Sequence, residues 1–227
     1  MTNRQWIGRA LSGLLCGAAI VLVGCQSSEG RQAKVARRAI TSLDTTRQEL
    51  VKADLDVNQT LASMDELTGQ PRDLKQAYKA FATEVSDTAK QSREAQQRAD
   101  QMRDRWQEYI TSWEREADRL DNEQLRAGAT ERRQTVRDNY NRLRDQAREL
   151  QTAYEPFLGQ LQEIRRALAL DLTPAGVEAA KPAMETARQT GATLKEQIDA
   201  FINELDAVSA KRASLPSAPE TVAGTEP

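Results

Sequence analysis

Histidine is absent from this 227-residue chain, and cysteine occurs only at Cys16 and Cys25. Without histidine the commonest general base and metal ligand is missing, and Ser–His–Asp and Cys–His constellations are excluded. Aromatic residues make up 4% of the chain, and its 11 glycines and 7 prolines gather mostly at segment boundaries and toward the C-terminus. So few large apolar and turn-forming residues, among many Ala, Leu, Glu, Arg and Gln, predict narrow seams between long helices rather than a thick globular core. A basic excess is missing too. Without Arg4 and Arg9 of the leader, 30 of the 32 basic residues face 34 acidic ones, a net charge of −4. That is the wrong sign for a nucleic-acid binder. Residues 91–150 carry 13 arginines and 13 acids with the signs interleaved, a pattern of solvated helix faces. No G-x-x-x-x-G-K-[ST] loop is available for a nucleoside triphosphate. We expect no catalytic residue, cofactor, metal, nucleotide or nucleic acid.

What is present begins with a leader. Arg4 and Arg9 precede an apolar run from Ala10 to Val23, shorter than the roughly 20 residues that span a bilayer. This is the form of a secretory signal peptide over residues 1–24, the alternative being an uncleaved membrane helix. Leu22-Val23-Gly24-Cys25 resembles the bacterial lipobox. Cys25 would supply the thiol for a thioether-linked diacylglycerol, and small Gly24 would admit the peptidase. Cys16 follows Leu14-Leu15 inside the leader, fits no such box, and reads as a small apolar residue. Two or three acyl chains give stable anchoring where one is marginal. Gln26, in place of the aspartate that favours inner-membrane retention in enteric bacteria, leans the expected location to the periplasmic face of the outer membrane. Residues 25–32 read as lipidated cysteine and polar tether.

Four helical segments follow, over residues 33–212. From Arg72 to Asp121, steps of three and four join Leu74, Tyr78, Phe81, Val85, Thr88, Ser92, Ala95, Ala99, Met102, Trp106, Tyr109, Trp113, Ala117 and Leu120, a heptad seam. Thr88 and Ser92 thin it midway, so packing there is expected to be closer or looser. The first segment, 33–67, carries Ala36, Ile40, Leu43, Leu50, Val57, Leu61 and Met64, with Arg47 and Asp54 interrupting. Gly69-Gln70-Pro71 supplies a glycine stop and a proline break. The third, 123–170, has Leu125, Ala129, Val136, Tyr140, Leu143, Ala147, Leu150, Tyr154, Leu158, Leu161, Ile164 and Leu168, with Pro156 predicting a kink. Thr173 and Pro174 read as N-cap and first turn of the last helix. Its seam is Val177, Met184, Ala187, Gly191, Leu194, Ile198, Phe201, Leu205 and Val208, with a bend expected at Pro182. Residues 213–227 lack periodicity and read as a disordered tail. The fold class is all-α: an elongated antiparallel bundle of coiled-coil hairpins with about four long helices.

Three constellations invite a functional reading. Trp106, Tyr109 and Trp113 share one helical face, either as seam filling or as an interaction patch for a protein or glycan. Tyr154-Glu155-Pro156-Phe157 marks a second candidate surface at the predicted bend. Asp54-x-Asp56-x-Asn58, with Leu61 and Asp65, imitates a calcium loop, but Gln59 stands where glycine is needed and Asp65 where glutamate is. Paired carboxylates are inevitable among 34 acids, and an acid–base role needs a pocket that shifts a pKa.

Residues Trp113, Glu114, Asn122, Leu125, Arg126, Arg137, Tyr140, Leu143, Pro156, Leu158, Leu168 and Leu172 form a spaced pattern. Over 113–172 it resembles a family of bacterial proteins classed only as a domain of unknown function. The resemblance extends loosely over most of the mature region and implies a shared helical architecture without an assigned activity. Ala169-Leu170-Asp171 stands where that family tends to have Lys-His-Asn, so no role of that histidine carries over. The function expected is that of a membrane-anchored envelope lipoprotein, a coiled-coil structural or adaptor element that engages an envelope protein or itself. The alternative is a periplasmic chaperone or carrier that encloses a hydrophobic ligand between splayed helices.

Overall fold

The computed structural model describes residues 28–213, and Cys25 with its lipobox residues Leu22, Val23 and Gly24 lies outside them. So does residue 214 onward of the expected tail. Four helices account for nearly the whole described length: α1 (Ser28–Thr68), α2 (Leu74–Ala117), α3 (Glu123–Leu170) and α4 (Pro174–Ala213). The 44 residues of α2 and 48 of α3 make helices of about 66 and 72 Å at 1.5 Å per residue. Helix α1 begins five residues before the expected start, inside the stretch read as tether.

Local chemistry accounts for the turns. Asp73 accepts from the Gln76 amide at 3.0 Å, Asn122 from the Leu125 amide at 3.0 Å, and Thr173 from the Gly176 amide at 3.1 Å. Each cap satisfies an amide that the first helical turn leaves without a carbonyl. At the end of α1, the Gly69 amide donates to the Asp65 carbonyl at 3.0 Å. The left-handed residue is Gln70, at φ 59°, and not Gly69 as the glycine stop suggested. Pro156 and Pro182 lie inside α3 and α4, which run on unbroken through them. Both rings are exposed, so the carbonyls they leave unbonded can turn to water.

Helix α1 packs against α2 and α4, and α3 against the same two, while the backbones of the diagonal pairs stay apart. Neighbours run antiparallel. Thr46 donates to the Arg98 carbonyl, whereas Thr60 meets Thr88 further along α1; Arg47 pairs with Asp206, and Asp65 with Arg188. One continuous core fills the centre, with Phe81, Phe157, Phe201, Leu143, Leu161 and Met64 fully buried. Each such side chain contributes about 1.5–3 kcal/mol of burial.

The α4 seam is the one predicted: Val177, Met184, Ala187, Gly191, Leu194, Ile198, Phe201, Leu205 and Val208 are all buried. A Cβ on Gly191 would stand 2.9 Å from Phe157 Cε2 and 3.2 Å from the Leu61 methyls. Glycine there lets α4 approach both neighbours.

Elsewhere the stripe shifts. Arg47 and Asp54 do not interrupt the α1 seam, which runs through buried Thr46 and Ala53 one residue earlier. Val35 and Ala39 are buried where Ala36 and Ile40 are half-buried, and Phe157 replaces Leu158 at the centre of α3. Leu125 is 61% exposed, because residues 121–127 at the start of α3 stand clear of the packed core. A helix with two packing neighbours buries a stripe wider than a heptad seam, and α1 accordingly buries Ser42, Glu49 and Ser63 as well.

Candidate functional site: a groove between the second and third helices

Among the described residues the three sequence candidates are absorbed into helix packing. Trp106 is 6% exposed, and Tyr109 and Trp113 are half-buried. The rings meet edge to face, with centroids 6.0 Å apart for Trp106–Tyr109 and 5.6 Å for Tyr109–Trp113. Tyr154 and Phe157 are buried on an unbroken helix. Most of the residues that imitate a calcium loop are taken up by neighbours: Asn58 donates to Asp54 at 3.0 Å, Lys195 to Asn58 at 2.5 Å, and Arg188 holds Asp65 at 2.6 Å. They lie along α1, and a helix cannot wrap a cation as a loop does. Among the described residues no group of three or more acidic or cysteine side chains could hold a metal.

Two features were not singled out in advance. One is a polar layer between α1 and α2. Glu49, 6% exposed, accepts from Gln91 Nε2 at 2.8 Å, and the Thr60 and Thr88 hydroxyls are hydrogen-bonded to each other at 2.6 Å. Burial opposes ionisation of Glu49. The Gln91 hydrogen bond and the cations of Lys52 and Arg98 outweigh it and hold this carboxyl below the usual glutamate range. The second face of α1, at Ser42, Glu49 and Ser63, is the signal that could have disclosed this layer.

The other feature is a groove of about 360 Å³ along the α2–α3 seam. The two helices are tied near both ends. Toward the α1–α2 and α3–α4 turns, Tyr78 donates to the Arg165 carbonyl at 3.1 Å, and Arg165 donates to Ser86 at 3.2 Å. Near the α2–α3 turn, Glu114 pairs with Arg137 and lies 3.8 Å from Arg133. Between these ties no hydrogen bond or ion pair joins the two helices among the described residues, and small Ala89, Ser92, Ala99 and Ala147 line the opening. The thinning noticed at Thr88 and Ser92 thus resolves as looser packing. Thr88 itself turns away to α1 and bonds the Asp56 carbonyl at 3.2 Å.

The floor is apolar: Met102, Leu150, Tyr140 and Tyr154, with Leu50 and Phe201 beneath, are all buried. Tyr154, 4% exposed, has a hydroxyl without a hydrogen-bond partner. Burial, then the Asp56 and Asp54 carboxylates, push this phenol far above the usual tyrosine range, so it stays protonated. Arg93, Arg103, Arg144 and Arg148 stand on the walls with Asp100 and Glu155. Arg103 is held by Asp100 at 2.7 Å and Arg144 by Asp145 at 2.9 Å. Among the described residues, Arg93 and Arg148 have no acidic partner. An apolar floor beneath basic walls can take an elongated apolar ligand with an acidic end. It offers no nucleophile paired with a base.

The residues behind the family resemblance lie mainly around the α2–α3 connection. Asn122 caps α3, Arg126 donates to the Leu120 carbonyl at 3.0 Å, Glu114 pairs with Arg137, and Tyr140, Leu143 and Leu168 enter the core. No curated protein and no solved structure matches the chain. A family model does match, over residues 31–213, a span wider than the 113–172 that carried the resemblance. The chain therefore belongs to the family described as "Protein of unknown function (DUF2959)".

Proposed function

We propose that the chain is a helical scaffold or adaptor of the cell envelope, held at a membrane by lipid on Cys25. The observation that carries the scaffold half is the bundle itself: four helices pack around one continuous core and present charged faces outward. Such a rod offers length and surface for a protein partner or for self-association. Helix α1 starts at Ser28, three residues after Cys25, so a lipid on that cysteine would seat this end of the bundle close to the bilayer. The two turns at 69–73 and 171–173 lie at the opposite end and would face away from it. Among the described residues no helix is long and apolar enough to cross a membrane, and attachment is assigned to the lipobox alone. Gln26 favours the periplasmic face of the outer membrane.

Cys25→Ala should move the protein from the membrane fraction to the soluble fraction in cells that process lipoproteins. A variant that stays membrane-bound through a carbonate wash removes the tether from this reading. The adaptor half is checked by crosslinking in intact cells followed by mass spectrometry, where a reproducible partner should map to exposed helical faces.

A further inference from the structure

We infer that the α2–α3 groove is a binding site for one long-chain fatty acid, with the acyl chain on the apolar floor and the carboxylate at the arginine walls. Its α2 wall, from Ala89 to Arg103, is about 21 Å long at 1.5 Å per residue. One leaflet's acyl chains cover about 15 Å, half the hydrocarbon thickness of a bilayer. A groove of about 360 Å³ is at the small end of ligand pockets, a size for a single chain rather than a two-tailed lipid or a folded peptide. Charge selects the head. Arg93 on α2 and Arg148 on α3 are the wall guanidiniums without an acidic partner among the described residues. The ties Ser86–Arg165 and Glu114–Arg137 set Arg148 level with Arg103, about 15 Å along α2 from Arg93. The head is therefore assigned to Arg148, beside Arg103 and Arg144, and a guanidinium binds a carboxylate through two parallel hydrogen bonds. Asp100 is occupied by Arg103, and Glu155 lies level with Gln96, toward the Arg93 end and away from the head. The buried, protonated Tyr154 hydroxyl without an acceptor is a second polar group at the floor. The ties at Arg165–Ser86 and Glu114–Arg137 hold α2 and α3 together beyond either end of the groove. This site is independent of the scaffold and tether readings.

The test is titration of palmitate into the full chain carrying Cys25→Ala, so that no acyl group of its own competes, read by calorimetry. Hexadecanol serves as the neutral ligand of equal chain length. We expect saturable binding of one palmitate per chain. Arg148→Ala should weaken palmitate about tenfold or more and leave hexadecanol unchanged, whereas Arg93→Ala at the far end of the groove should leave both unchanged. Ala99→Trp, which fills the opening, should abolish both. Absence of saturable palmitate binding overturns the proposal, as does binding that Arg148→Ala does not affect. Should Ala99→Trp fail to fold by circular dichroism, the exposed arginine variants decide alone. A dimer of the unliganded chain that Ala99→Trp dissociates, without palmitate binding, overturns it in favour of a second copy as occupant.

Discussion

Glu49 shows how a single buried side chain sets the conditions under which this bundle is stable. Its carboxylate is held between the Gln91 amide, Lys52 and Arg98, and its folded pKa lies below the unfolded value. Stability from such a group is fully present above the unfolded pKa and is lost as pH falls through the folded one. Glu49→Gln should therefore flatten the decline in melting temperature between about pH 6 and about pH 3, and an unchanged decline would assign acid lability to other carboxyls. Glu49→Ala leaves the buried Gln91 amide only the backbone carbonyl of residue 49, at 3.3 Å, and should cost about 1–2 kcal/mol in a denaturant titration. Asp56 and Glu84 carry the opposite sign. Burial first, and then like charge from Asp87, raises both, so they favour folding when protonated and lose that contribution as pH rises. None of this was legible beforehand, because a glutamate on a charged helix reads as solvated until a second neighbour covers its face.

Among the elements, α4 was the most legible and α1 the least. Every predicted α4 seam position is buried because its small and large apolar residues recur strictly at steps of three and four. In α1 polar residues occupy buried places, and periodicity of apolar residues alone slips to a neighbouring row. Gly191 illustrates what periodicity cannot weigh. Alanine there gains about 1 kcal/mol of helix propensity but drives a methyl to 2.9 Å from Phe157, and overpacking costs about 1–3 kcal/mol. Gly191→Ala should thus be neutral to destabilising by about 2 kcal/mol. Adding Phe157→Leu should restore part of the loss, and strictly additive penalties in denaturant titrations would show that the two sites do not touch.

At the scale of the whole molecule, all four helices share one core, and no helix pair holds a core of its own. Unfolding should be a single transition. Fluorescence of Trp106 and Trp113, near the α2–α3 turn, and far-ultraviolet circular dichroism, which reports every helix, should give superimposable melting curves for the mature chain. A fluorescence midpoint below the dichroism midpoint would mean that this end melts alone. The sequence by itself determined the all-α class, the number of helices, most of their ends and the bundle's elongated form, since caps, prolines and heptad spacing are local chemistry. Only the tertiary structure decided which seam is tight and which is open. That depends on what two helices bring to the same level: Thr60 opposite Thr88 closes α1 onto α2, whereas the small residues Ala89, Ser92 and Ala99, with Ala147 on the other wall, leave α2 and α3 apart. Packing is a property of pairs, and a one-dimensional pattern carries only one member of each.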